Sequence, residues 1–294
     1  MSLFSSLASS LAELKPWVRL GRFDKPVGIA LLVFPAWWAV VLATMPGEAP
    51  NFSLMLLFLA GAVVMRAGGC AINDIADRKY DAQVARTKDR PVASGKISVV
   101  EAATFAAVML GAGFLIALPM GLETIVMAAC ALPFILLYPL MKRFTWWPQA
   151  WLALTFNWGV FLGFMAVEKN LPLAAITLFG ACFFWTLGYD TIYAFQDVAD
   201  DEKAGVKSTA RLLGKHAKAF VGLCYAFSFI MLLVAGVYAH IGLGFYVVMS
   251  ASFYELCMQL KNWRLDDAGS SGAVFRSNVG YGLLVTVALL AGRL

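Results

Sequence analysis

Apolar runs of about twenty residues recur along the chain, separated by short polar stretches. They lie at about 27–45, 53–72, 99–118, 122–140, 149–167, 171–192, 216–239, 242–261 and 273–292. Each is near the ~20 residues that a helix needs to cross the hydrocarbon core of a bilayer. The pattern predicts an all-α integral membrane protein with nine transmembrane helices, in one domain spanning 1–294. Met45-Pro46-Gly47-Glu48, Pro119-Met120-Gly121 and His240-Ile241-Gly242 mark tight turns between spans. Before the first span, Leu3, Leu7, Leu11, Leu14 and Val18 fall on one helical stripe beside Lys15 and Arg19. That pattern predicts a helix over 3–20 lying on the membrane surface, in an N-terminal segment 1–26. The segment lacks the basic start and small-residue cleavage site of a signal peptide, so it is expected to be retained.

Composition agrees with the runs. Of 294 residues, 61% are apolar and 14% charged, with a mean hydropathy of +0.76. Soluble domains run roughly 45–50% apolar and about 25% charged. An ordinary soluble enzyme, a disordered chain and a nucleic-acid-binding protein are thereby excluded. Positive charge sets the orientation. With the N-terminus on the cytoplasmic side, 20 of the 23 Lys and Arg residues fall there; Lys169 and Arg293 fall outside, and Arg66 lies within a span. An odd span number puts the two termini on opposite sides.

The aspartates add a second asymmetry. All eleven fall at the cytoplasmic side, and only Glu48, Glu123 and Glu168 lie opposite. Acidic residues contribute little to orientation, so something else gathers them. The second span runs into Asn73-Asp74-Ile75-Ala76-Asp77-Arg78-Lys79-Tyr80-Asp81, where Asn73, Asp77 and Asp81 share a helical face and Asp74 lies close to it. The sixth span runs into Asp190, Asp197, Asp200 and Asp201, with Asp190, Asp197 and Asp201 expected on one face. Such stripes repel themselves, and more so at a membrane boundary, unless a cation sits between them. Histidine cannot supply that site, since His216 and His240 are the only two. Cys70, Cys130, Cys182, Cys224 and Cys257 lie in apolar stretches without CxxC spacing, against both a thiolate metal site and a disulfide framework. Oxygen ligands point to magnesium, calcium or manganese. Magnesium fits best, because it takes one or two carboxylates and completes its shell from substrate phosphates.

Basic residues flank both stripes. Arg86-Thr87-Lys88-Asp89-Arg90-Pro91 follows the first, Lys203 and Lys207 follow the second, and Lys142-Arg143 close the fourth span. Together they complement phosphate oxygens that a metal leaves uncovered. Arg66, seven residues before Asn73, lies on the same face inside the membrane, where an arginine is a functional candidate. The chemistry so assembled is a metal-bridged diphosphate site over an apolar cavity, suited to an isoprenyl diphosphate.

On these residues the chain resembles the UbiA superfamily of membrane prenyltransferases, most closely its bacterial 4-hydroxybenzoate polyprenyltransferase branch. The likeness runs through Arg22-Phe23-Asp24-Lys25-Pro26-Val27-Gly28, Met65-Arg66-Ala67-Gly68-Gly69-Cys70, both aspartate motifs, Tyr138-Pro139-Leu140-Met141-Lys142-Arg143, Asn157-Trp158-Gly159 and Lys207-Ser208-Thr209. The resemblance implies nine helices around a central cavity with a cytoplasmic cap, in a bacterial inner membrane. It implies two magnesium ions held among Asn73, Asp74, Asp77, Asp81, Asp197, Asp200 and Asp201. It implies transfer of a polyprenyl group from polyprenyl diphosphate to 4-hydroxybenzoate, ortho to the phenol hydroxyl, in ubiquinone synthesis. Arg22 is expected on the benzoate carboxylate, and Lys142, Arg143, Lys207, Arg86 and Arg90 on diphosphate. Asp190 and Arg66 are the candidates closest to the chemistry, Asp190 orienting or deprotonating the phenol or taking the ring proton.

Two other classes stay open at this point. The same site can serve homogentisate, a naphthoate or a haem as acceptor. A cation-coupled transporter also gathers acids in a membrane, but its site belongs near the midplane at broken helices. Gly159 and Gly163, a GxxxG pair, predict close helix contact.

Overall fold

The apolar runs fold as helices whose ends are set by local residues. The computed structural model describes residues 13–84, 86–203 and 205–293, and among them there is no strand. In chain order the helices are α1 (Val27–Ala43), α2 (Phe52–Asp81), α3 (Val99–Ala117), α4 (Leu122–Phe144), α5 (Pro148–Phe156) and α6 (Gly159–Val167). They continue with α7 (Leu173–Ala194), α8 (Val198–Lys203), α9 (Thr209–Leu213), α10 (Ala217–Tyr238), α11 (Leu243–Asn262) and α12 (Ala268–Arg293). Among the described residues, eight helical stretches are long and apolar enough to cross a membrane. The first expected span, α1, has only 17 residues, at the lower end of what a bilayer accepts. Residues 13–20 are helical; the rest of the helix expected over 3–20 lies outside the described residues.

Caps explain several boundaries. The Asn51 side chain accepts from the Leu54 amide at 2.9 Å and starts α2. Ser98 and Glu101 form a reciprocal capping box at the start of α3. The expected turns are present: Gly47 and Gly121 take φ of +81° and +94°, the left-handed region that costs glycine little.

Two helices sit inside the bundle. α1 packs on α2, α6, α7 and α12, and α7 packs on α5, α10 and α12. Trp38 of α1 stacks on Trp185 of α7 with centroids 5.1 Å apart, and both are fully buried. Helices α3 and α4 instead leave Val108, Phe114, Leu115, Leu132 and Leu136 exposed, the face that meets lipid. At the end far from the aspartates, buried Arg293 donates to the carbonyls of Val41, Leu42 and Ala239, capping the ends of α1 and α10.

The span expected at 149–167 is broken. It ends at Phe156 and restarts at Gly159. Asn157 makes the break tolerable inside a membrane, where freed polar groups must find partners. Its amide donates to Ala153 O (2.8 Å), Thr186 Oγ1 (2.8 Å) and Cys182 O (3.1 Å). Trp158 Nε1 donates to Met127 O on α4. The restarted helix carries the expected glycine contact: a Cβ on Gly163 would lie 2.6 Å from Ala39 Cβ and 3.0 Å from Ala36 O of α1. Gly163→Leu is therefore expected to cost about 1–3 kcal/mol or more, because backbone on the opposite side cannot yield. Thermal melting of the detergent-solubilised protein checks this, and an unchanged midpoint would contradict the contact.

Candidate functional site

Helix α2 runs without interruption to Asp81, well past the apolar part of its sequence. Asn73, Asp77 and Asp81 therefore do share one face, and all three line a cavity of about 180 Å³. Asp190 near the end of α7, together with Asp197 and Asp201, lines the same cavity from the other side. The second stripe is not one helical face, however. α7 stops at Ala194, a turn carries Asp197 (its amide on Ala194 O, 3.3 Å), and Asp201 follows on the short α8. The turn brings Asp197 and Asp201 together over the cavity, with the Asp201 amide on Asp197 O at 2.8 Å.

Two aspartates stand apart from the expected set. Asp74 does not line the cavity. It is buried and accepts from Arg22 Nη2 at 2.7 Å and Arg90 Nη1 at 3.3 Å. Asp74 lies to one side of the face that Asn73, Asp77 and Asp81 share, where Arg22 and Arg90 meet it, whereas Asp77 meets Lys142. Asp200 is also outside the lining and pairs with Lys203 at 3.8 Å.

The cations separate in the same way. Lys142, Arg86, Lys207 and Arg90 line the cavity; Arg22, Arg66 and Arg143 do not. Lys142 Nζ donates to Asp77 Oδ2, with Arg143 Nη2 4.0 Å from Oδ1. Arg86 holds Asp197 with two prongs, Nε to Oδ1 at 2.5 Å and Nη2 to Oδ2. Arg90 donates to Asp81 at 2.8 Å as well as to Asp74, so it fastens the loop after α2 back onto that helix. Arg22, whose φ is +56°, has its guanidinium taken up by Asp74 and the Arg19 carbonyl.

Arg66 sits deeper. It lies over the Phe156 ring at 5.4 Å, and its buried Nε has no hydrogen-bond partner. The guanidinium lies against Gly28, where a Cβ would come within 2.2 Å of it and displace it. Its charge bears on Asp190, Tyr138 and Tyr189. Tyr138 and Tyr193 line the cavity and were not singled out from sequence. A signal existed: each precedes a charged cavity residue, Lys142 or Asp197, by one helical turn.

The residues fit a divalent cation. Among the described residues, no three acidic, histidine or cysteine side chains converge on a ready-made metal cage. That suits magnesium, which relies on substrate phosphates for part of its shell. Asp77 Oδ1 is buried with no hydrogen-bond partner, a carboxylate oxygen free to accept a cation. Burial and the neighbouring Asp197 charge push the Asp201 carboxyl up to about 6, a strain that a bound cation relieves by favouring the ionised form.

The comparisons with known proteins agree with this geometry. A family model described as the UbiA prenyltransferase family matches residues 32–281. The chain is 39% identical over 283 residues to 4-hydroxybenzoate geranyltransferase 2 of Lithospermum erythrorhizon, covering 96% of this chain and 92% of that one. It is 38% identical over 278 residues to 4-hydroxybenzoate octaprenyltransferase of Coxiella burnetii, covering 95% and 96%. In fold it is similar to a UbiA homolog from Archaeoglobus fulgidus solved with GPP and Mg2+, at TM-score 0.69, 19% identity, and 92% and 99% coverage. The long helices, the family match and these near-full-length relatives lead to one conclusion: the chain is a multi-pass membrane protein that belongs to the UbiA prenyltransferase family.

Proposed function

We propose that the chain transfers a polyprenyl group from polyprenyl diphosphate to 4-hydroxybenzoate, at the carbon ortho to the phenol hydroxyl, with magnesium, as a step of ubiquinone synthesis. The observation that carries this reading is one cavity that gathers Asp77, Asp197 and Asp201 with Lys142, Arg86 and Lys207, from elements far apart in the chain. The names of the relatives support 4-hydroxybenzoate as the acceptor.

Asp77, Asn73 and Asp81 on one side, and Asp197 and Asp201 on the other, would hold two magnesium ions. The chemistry magnesium supplies there is neutralisation of charge on the departing diphosphate. Lys142, Lys207 and Arg86 bind the phosphate oxygens that remain, and Arg143 supports them from beside Asp77. Asp74, Arg22 and Arg90 are positioning residues: Arg90 ties the loop after α2 to Asp74 and Asp81, and Arg22 ties the segment before α1 to Asp74. Asp200, paired with Lys203, has no part in this set.

The carboxylate role expected of Arg22 falls better to Arg66. Arg22 is already neutralised by Asp74, whereas the buried Nε of Arg66 lacks a partner. A benzoate anchored there lies toward Asp190, which orients the phenol hydroxyl or accepts a proton. The allylic C–O bond breaks, the ring carbon ortho to the hydroxyl forms the new C–C bond, and that carbon's proton leaves to a base or water.

Positive charge at the cavity end supports a cytoplasmic mouth in a bacterial inner membrane. Transport is disfavoured, because the acids crowd one end of the bundle rather than its middle, where a transported ion is held.

Membranes carrying the protein, given geranyl diphosphate, 4-hydroxybenzoate and magnesium, are expected to form prenylated 4-hydroxybenzoate detectable by mass spectrometry. EDTA should reduce it to the level of membranes without the protein. Diphosphate release without that product would refute the acceptor; full activity in EDTA would refute the metal.

A further inference from the structure

The two carboxylates that face each other across the cavity are not in the same state. Asp77 is hydrogen-bonded by Lys142 through Oδ2 alone; Arg143 Nη2 stands 4.0 Å from its Oδ1, which is buried with no hydrogen-bond partner. Asp197 has both oxygens engaged by the Arg86 fork. The fork is seated further by Tyr193, whose hydroxyl accepts from Nη1 at 3.3 Å and whose ring lies 5.7 Å from the guanidinium carbon. A cation approaching Asp197 finds neither oxygen free, whereas one approaching Asp77 finds Oδ1 without a hydrogen bond.

We propose that Arg86 is a stand-in cation on Asp197, which exchanges onto the substrate's diphosphate, so that the Asp77 metal position fills first and the Asp197 position fills only with diphosphate present. This inference rests on the reading of the cavity as a metal–diphosphate site. Three features suit Arg86 to the exchange. Its side chain is 36% exposed, the least buried partner in the cavity's ion pairs. The backbone around it is fastened independently, by Thr87 Oγ1 on Asp81 O at 3.0 Å and by Arg90 on Asp74 and Asp81. The side chain can therefore swing while the loop stays. A guanidinium fork also fits a phosphate as well as it fits a carboxylate, so the hydrogen bonds given up on Asp197 are regained on the substrate. Charge stays balanced: one cation leaves Asp197, one divalent ion replaces it, and the diphosphate brings the negative charge that both require.

The exchange orders the binding steps. Metal alone loads half of the site, and diphosphate completes it. A site closed this way does not commit its second ion until there is a leaving group to neutralise.

Manganese binding to the purified full chain, followed by electron paramagnetic resonance with and without inorganic diphosphate, tests this directly. The wild type is expected to bind one ion alone and two with diphosphate. Arg86→Gln should bind two ions without diphosphate, the second at least about fivefold more tightly than the wild type, the worth of one part-exposed ion pair. With diphosphate the ranking should invert, the variant holding diphosphate more weakly. Arg86→Lys, which keeps the charge but loses the fork, should fall between the two and serves if the glutamine variant does not fold. Equal stoichiometry and affinity for wild type and both variants in metal alone would overturn the exchange while leaving the metal site intact. A wild type that binds no manganese even with diphosphate would overturn the reading of the cavity, and this inference with it.

Discussion

Asp77→Asn should lower prenyl transfer by about a thousandfold or more, the scale on which removing charge from a metal-assisted site is felt. The substitution keeps shape and replaces one carboxylate oxygen by an amide nitrogen. Asp77 is fully buried on α2, with Lys142 on one oxygen and the other unpartnered. Removing its charge leaves Lys142 and Arg143 facing an amide, so the cavity becomes more positive. Diphosphate should then still bind, while magnesium should not. That split separates loss of metal from collapse of the site. It is read from turnover, prenyl diphosphate binding and manganese affinity on the same preparation, with a melting curve to show that the chain is folded. Turnover within about tenfold of the wild type would contradict the placement of metal at Asp77.

The second large effect is expected at Arg66. Arg66→Gln should raise KM for 4-hydroxybenzoate about a hundredfold, since truncating one partner of a buried charge pair costs roughly 2–5 kcal/mol. The KM for prenyl diphosphate should move little, because Arg66 is not among the residues lining the acid-rich cavity. Arg66→Lys should recover only part of the loss, since a point charge does not reproduce a planar fork. The discriminating substrate is 4-hydroxybenzamide, which has the same outline but no carboxylate. The wild type should strongly prefer the acid, and Arg66→Gln should treat the two alike. A variant that kept the preference would return the carboxylate to another cation. Arg22→Gln offers the contrast: its guanidinium is spent on Asp74, so loss of stability is expected there rather than loss of acid preference.

What the sequence allowed a reader to see follows from the range of the forces involved. Hydrophobic runs and glycine turns are local, and most helices begin and end within a few residues of the expected spans, although α2 runs on past 72 to Asp81 and α12 begins earlier, at Ala268. The face shared by Asn73, Asp77 and Asp81 was also legible, because an uninterrupted helix makes spacing equivalent to direction. The break at Asn157–Trp158 was not legible. An isolated asparagine in an apolar run gives no sign that the Cys182 carbonyl and the Thr186 hydroxyl on α7 wait to receive it. The second aspartate motif misled for a related reason, since a turn after Ala194 replaces the continuous helix that the spacing assumed. Asp74 and Asp77 looked equivalent as ligands, and Arg22 rather than Arg66 looked like the partner of the acceptor's carboxylate. Only the neighbours contributed by other segments separate them.

The charged residues of the cavity all stand at one end of the helices, far from Arg293 and its carbonyl partners at the other. Moving one elementary charge across a membrane costs about 2.3 kcal/mol for every 100 mV. On the function proposed above, the diphosphate arrives and departs at the face where the cavity lies, and its compensating ions with it. Turnover therefore does almost no electrical work, and its rate should be indifferent to membrane voltage. An energised and a de-energised membrane are, for this protein, the same solvent.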